Sequence, residues 1–463
     1  MRVLMLSSLL LLAACAETPP EPKIAAPAPY RAAFHAEGAA APLDRWWSGF
    51  QDPVLTSIVE RALAQNLDLE ESTGRIRQAR AAAQAAGARL LPQGSLSTQV
   101  SPFHQSLEGP IGTIARHLPG YDRDQVLYDA GAGASWEIDL GGGLQRDAEA
   151  AAALAEAAEA EHLGTKVMVA AEAADAYLQL RGDQARIALA EQQVVADAKL
   201  ADLVKLRLAR GAATERELAQ SQALLSQARA SLPPLRVALQ AQLNRLDVLL
   251  GRQPGAMNAE LAEIKQIPAV PAIDPQDSAD LLRRRPDVIA AERRLAAKTA
   301  LIGSANSDYY PKLSLSALLG FESLNSQQLF TGAGFQPQAV AGLRWRLFDF
   351  GRVDAEVASA EGAQAEALAH YRASLLRATE DVENALTALA ETLKQNQDLR
   401  QESQSLTVAR DRAQEAYLGG AVSLIEVLDA DRQLLTAEDE EARSRADAAR
   451  SAVSAFRALG GGW

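Results

Sequence analysis

Between Leu144 and about Arg210, apolar residues recur at three- and four-residue spacings (Leu154, Val167, Ala170, Ala174, Tyr177, Leu178) with no proline, which is the period of an amphipathic helix. At helical rise those 67 positions would reach about 100 Å. Arg352 to Leu418 repeats the pattern at the same length. No compact domain holds two helices of that size, so the pattern predicts a tube, a coiled-coil bundle or a stalk. A different period marks four short segments. Ser95 to Val100 and Leu313 to Leu319 alternate polar and apolar residues, with Ala134 to Leu140 and Ala339 to Phe348 as partner strands. Tyr309, Tyr310, Trp136, Trp345, Phe348 and Phe350 collect at the strand ends, which suits the interfacial girdle of a membrane barrel. Four strands cannot close a barrel and open edges cannot sit in lipid, so the protomer must oligomerise if these strands cross a membrane.

The pattern occurs twice. Gly211, Thr214, Glu217 and Leu225 recur about 209 positions later as Gly420, Ser423, Glu426 and Leu434, and Asp139-Leu140-Gly141 recurs as Asp349-Phe350-Gly351. Leu91-Pro92 with Ser95-Leu96-Ser97 recurs about 219 later as Tyr310-Pro311 with Ser314-Leu315-Ser316, so the first half carries a longer inter-strand loop. Such self-similarity is a repeat architecture. Each long helix stops at a glycine suited to a left-handed turn, and a capping box, Thr214-x-x-Glu217 or Ser423-x-x-Glu426, starts the next helix. These are helical hairpins whose returning segments, about 213 to 251 and 421 to 459, reach only about 58 Å each. Further helices over about Leu67 to Leu91 and Pro286 to Tyr309 would add about 36 Å, so that short helices stacked end to end match the long ones. Pro233-Pro234 predicts a kink or break in the first return segment.

Composition adds an address and removes partners. A net charge of -13 without a Lys/Arg cluster argues against nucleic acid. Arg2 precedes an apolar run from Leu4 to Ala14, too short for a mature transmembrane helix, that ends in Leu12-Ala13-Ala14-Cys15. This is similar to a bacterial lipoprotein signal, in which the cysteine becomes the acylated first residue, and Cys15 is the one cysteine of the chain. The domain reading is residues 1–14 as signal peptide, 15–45 as lipidated N-terminus and Pro/Ala-rich tether, 46–256 as first repeat, 257–276 as linker and 277–463 as second repeat.

Several segments together resemble the TolC-type outer-membrane efflux proteins, in the lipoprotein branch serving RND multidrug and metal pumps. They are Arg45-Trp46-Trp47 with Phe50-x-Asp52-Pro53, Leu67 to Arg80, Leu281-Leu282-Arg283-Arg284-Arg285-Pro286-Asp287 with Glu292, and Leu428-Asp429-Ala430-x-Arg432. The resemblance covers essentially the whole mature chain. It implies a mixed, mainly α fold with membrane β: duplicated helical hairpins forming a trimeric periplasmic α-barrel tunnel, joined to a twelve-stranded outer-membrane β-barrel with four strands per protomer. It also implies a homotrimer in the outer membrane of a Gram-negative bacterium, lipid-anchored, giving a passive exit duct from an inner-membrane pump and periplasmic adaptor that meet the hairpin tips at Gly211, Thr214, Glu217, Gly420 and Ser423. Where the family usually has an aromatic, a glycine and a basic residue, the first half has Gly141-Gly142-Gly143.

The five histidines are scattered, with no metal-ligand partner at three or four residues, and there is no nucleophile elbow or phosphate loop. Neither a cofactor nor enzymatic activity is expected, and each histidine is expected to be exposed. The rival reading is a lipid-anchored periplasmic coiled-coil scaffold without a pore, which leaves the four symmetrically placed strands unexplained. The repeat also singles out a candidate gate. Asp429 aligns with Gln220 and Arg432 with Ala223, so the second hairpin alone carries this charged pair. In the resembling family the corresponding aspartate lies near the tunnel's periplasmic tip, where three copies converge and ion bonds hold the pore shut. Glu426, one helical turn back, is the third gate candidate beside its capping role.

Overall fold

The computed structural model describes residues 42–273 and 283–463, and Cys15, Leu281 and Leu282 lie outside them. The chain divides into two compact units. The first contains Arg77–Ala157 and Ala291–His370, and the second contains the described residues up to Ile76 together with Ala158–Ala290 and Tyr371–Trp463. Both long helices, α4 (Gly143–Ala209) and α7 (Arg352–Leu418), contribute to both units, and each has the 67 residues that the apolar period predicts.

In the first unit, β1 (Gln93–His104), β2 (Asp124–Ile138), β3 (Lys312–Ser323) and β4 (Phe335–Arg344) form one antiparallel sheet in chain order, with β1 and β4 at its edges. The register sorts side chains by chemistry. Rows such as Leu96–Ala132–Leu319–Pro337 alternate with rows such as Ser97–Gly131–Gly320–Gln336, so one face of the sheet is largely apolar and the other largely polar. The protomer leaves the apolar face open: Leu96 is 82% exposed and Leu319 62%. A short helix, α3 (Pro110–Ala115), lies in the β1–β2 loop.

The strands differ in extent from the sequence expectation. β2 starts at Asp124, ten residues before Ala134, because pairing with β1 down to His104↔Asp124 continues through a stretch rich in alanine and glycine that carries little alternation. β4 ends at Arg344, short of Phe348, and the indole of Trp345 instead donates to the Tyr309 carbonyl at 3.0 Å. Its counterpart Trp136 donates to Leu90 O at 3.0 Å, so both repeats pin the corner between helix and sheet in the same way. The strand-to-helix turns are also duplicated, with Gly142 at φ 72° and Gly351 at φ 80°. The triple glycine has a steric reason, since a Cβ on Gly143 would lie 2.1 Å from Ser307 Oγ.

In the second unit, α1 (Pro53–Gln65), α5 (Glu215–Leu249) and α8 (Leu424–Ala458) pack with the long helices around a core that includes Trp46, Trp47, Phe50, Tyr177 and Phe456. The Arg-Trp-Trp motif is therefore a packing device: Trp46 stacks on Phe456 at 5.3 Å, and Asp52 caps α1 while accepting from Tyr177 Oη at 2.6 Å. Short helices meet end to end as expected. Asn66 donates to the Leu249 carbonyl at 3.1 Å and accepts from the Asp68 and Leu69 amides, joining the end of α5 to the start of α2 (Leu67–Ala88). Arg285 does the same in the second repeat. It donates to Ala458 O at 3.0 Å and pairs with Asp287 at the start of α6 (Pro286–Asn306) and with Asp381 of α7, which is why the Arg-Pro-Asp motif has its composition.

Two expectations are corrected. Of the kink or break expected at Pro233-Pro234, the break does not occur, because α5 runs through it with Leu232, Leu235 and Leu239 packed beside Ile187 and Ala190 of α4. Apolar packing on both sides of the prolines offsets the missing amides. His162 is half-buried and bonded to Ser72 Oγ at 2.7 Å, and burial lowers its pKa.

Candidate functional site

The two hairpin tips carry every candidate contact and gate residue. Both turns close in the same way: Gly211 at φ 72° and Gly420 at φ 77° place the next amide on a carbonyl five residues back, Ala212 N to Arg207 O and Ala421 N to Ala416 O, each at 2.8 Å. A left-handed glycine is what this turn requires. The tips also pack on one another. Val204 of α4, Tyr417 of α7, and Leu424 and Val427 of α8 form one small buried cluster, flanked by Leu218 of α5, and the Arg207 guanidinium lies over the Tyr417 ring at 4.6 Å.

The caps are similar but unequal. Thr214 N donates to Glu217 at 2.6 Å and Glu217 N donates back to Thr214 Oγ1 at 3.2 Å, and this backbone bond holds the Glu217 carboxyl below its ordinary range. In the second hairpin, Ser423 N and Oγ donate to Glu426 at 3.3 and 3.4 Å, so the same motif is slacker.

Asp429 and Arg432 are exposed and pair with each other at 2.6 Å, and the second Asp429 oxygen accepts from Gln433 Nε2 at 2.7 Å. Within one chain this is an i,i+3 surface pair worth about 0.2–0.5 kcal/mol. Glu426 is exposed and engaged by its cap. Between them sits a residue that the sequence reading missed. Asp431 is turned inward and meets Arg410 of α7 at 3.5 Å. Its alignment with Gln222 in the repeat is the signal that could have found it.

A family model described as "Outer membrane efflux protein" matches residues 58–252 and 278–461. The chain is 33% identical over 459 residues to the pyoverdine export outer membrane protein OpmQ of Pseudomonas putida, covering 98% of this chain and 96% of that protein. It is 26% identical to the probable outer membrane lipoprotein SilC of Salmonella typhimurium, over 100% of this chain and 99% of that one. The solved structure of the outer-membrane channel OprN superposes with a TM-score of 0.85 at 31% identity, covering 97% of this chain and 100% of that chain.

Proposed function

The chain belongs to the outer membrane efflux protein family, and we propose that within it the second hairpin is the moving part that closes the periplasmic end of a channel. The protein is the outer-membrane channel component of a tripartite efflux system, lying between the cell exterior and an inner-membrane pump with its periplasmic adaptor. The observation that carries this function is the sheet: four strands with one apolar face, one polar face and two unpaired edges. Lipid leaves no water to satisfy those edges, so β4 of one copy pairs with β1 of the next. Three copies close a twelve-stranded barrel with the apolar rows toward lipid and the polar rows lining a lumen. A pore-less scaffold has no use for such a sheet.

The conduit is passive and performs no chemistry of its own. Cys15, with the apolar run before it, supports a lipid anchor on the mature N-terminus, and intact mass of the purified protein tests it, an unmodified thiol or a different first residue being the opposing result. The tip residues Gly211, Thr214, Glu217, Gly420 and Ser423 offer the surface that an adaptor or pump grips. A pump that exports pyoverdine is the first system to reconstitute, given the OpmQ relative.

Gate closure rests on the charge that the repeat did not duplicate. Three copies of Asp429 brought together near an axis form a ring of carboxylates that favours cations, and opening requires a partner to break the Asp429 and Arg432 contacts. Single-channel recording decides this. Asp429→Ala with Arg432→Ala should raise conductance and weaken cation preference. The transplanted pair Gln220→Asp with Ala223→Arg in the first hairpin should do neither. A double alanine variant with wild-type conductance and selectivity returns both residues to the role of a surface ion pair.

A further inference from the structure

Three helices bring charged groups together beside the proposed gate. Asp431 of α8 reaches Arg410 of α7 at 3.5 Å, with side chains only 15% and 29% exposed. Asp197 of α4 is 2% exposed; one of its oxygens accepts from Gln193 at 2.8 Å, while the other is shielded from solvent and has no hydrogen-bond partner. Glu438 of α8 also interacts with Arg410, as does Asp411, bonded to it at 2.8 Å. Among the described residues, Arg410 is the cation that acts on Asp431 and Glu438, Asp431 acts on Asp197, and Asp411 and Glu441 add further negative charge.

We propose that Asp431 is the positioning residue that fastens the gate helix α8 to the long helices through Arg410, and that Asp197 is the proton-operated release of that fastening. This rests on the gate reading above and adds its control. Burial pushes the Asp197 carboxyl up to about 6, with the charge of Asp431 acting in the same direction. Burial raises Asp431 as well, opposed by Arg410. A carboxyl whose pKa is raised by folding stabilises the packed state below its ordinary value of 3.8, and that contribution is lost as pH rises through about 6. When Asp197 is protonated, its charge no longer opposes that of Asp431 in the pair with Arg410. When it is ionised, a buried carboxylate with one oxygen unsatisfied faces the stretch of α8 that holds Asp431, because the pairs Asp175–Arg450 and Arg186–Asp439 run α4 antiparallel to α8 in a register that carries Asp197 to that turn, and the cost is relieved by α8 moving away to admit water.

The test is the conductance of the intact trimer in planar bilayers from about pH 5 to about pH 7.5. Wild type should rise roughly twofold or more through about pH 6 as Asp197 ionises. Asp197→Asn, uncharged and nearly isosteric, should stay at the low value throughout. Asp431→Asn should be high at both ends, while Arg410→Lys, which keeps the charge, should retain the step. Persistence of the step in Asp197→Asn, or its absence in wild type, overturns the proposal. The gate reading fails separately: if Asp429→Ala with Arg432→Ala changes nothing while Asp197→Asn still abolishes the step, the gate is wrong and the fastening stands. If Asp197→Asn does not assemble, amide exchange of wild type decides. After correction for intrinsic rates, residues 424–438 should lose protection above about pH 6 while 215–229 keep theirs, and equal loss in both overturns the idea.

Discussion

The two hairpins share a backbone and differ in what they carry. Both have a 67-residue helix, a left-handed glycine, a hydroxyl-carboxylate cap and a 35-residue return helix. The first cap is short and reciprocal, and no charged pair follows it at Gln220 and Ala223. The second cap is longer, and behind it come an exposed pair, Asp429–Arg432, and an inward one, Asp431–Arg410. A duplicated scaffold with charges on one copy separates what is needed to build the tunnel from what is needed to work it. On the proposed reading, the first hairpin serves as a fixed wall and the second, with two ion pairs of its own, is the moving part.

The comparison is most strongly tested where the two copies should behave alike. Gly211→Pro and Gly420→Pro each place a ring fixed near -65° where φ is 72° or 77°, at a cost of about 3 kcal/mol or more. Native mass spectrometry should show similar loss of trimer for both, and a wide disparity would mean that the turns are not equivalent scaffolding. The next effect should be unequal. Tyr417→Ala empties the cluster that joins the tips and removes the ring beneath Arg207, costing about 3 kcal/mol, whereas its repeat counterpart Leu208 is only half-buried and Leu208→Ala should cost about 1 kcal/mol or less. Amide exchange at both tips measures this, with Tyr417→Ala loosening both hairpins.

Smaller effects resolve the caps. Thr214→Ala should cost about 1 kcal/mol and Ser423→Ala about 0.5 kcal/mol, read from local exchange at residues 215–218 and 424–427, because the first box is tighter. Equal losses would remove the claim that the second return helix is less firmly started. Smallest is a pH effect at the first tip. The Glu217 carboxyl is lowered by its backbone bond to Thr214, so its contribution is present above its ordinary value of 4.5 and lost as pH falls through the lowered one. Fraying of residues 214–218 on acidification, absent in Glu217→Gln, is the outcome to look for.

The long helices were legible in the sequence almost to the residue, because a 3.6-residue period repeated over 67 positions averages out single exceptions. Turns and caps were legible because glycine and a Ser/Thr-x-x-Glu spacing each serve a local purpose. Strand limits were less so. Residues 124–133 owe their strand to pairing with β1, and Trp345 leaves β4 to bond a helix-end carbonyl. The continuity of α5 through Pro233-Pro234 also belongs to packing, since a local rule predicts a kink or break there.

At the candidate site, the amino-acid order by itself determined which charges are duplicated, and so singled out Asp429 and Arg432. It did not determine which charge turns inward. Asp197, Arg410 and Asp431 lie far apart or in unremarkable contexts along the chain, and only the packing of α4, α7 and α8 buries Asp197 and pairs Arg410 with Asp431. Periodicity and caps act over a few residues and can be read from their neighbours. The ionisation of a buried carboxyl depends on the dielectric and charges that distant segments bring to it, and those exist only once the helices are packed.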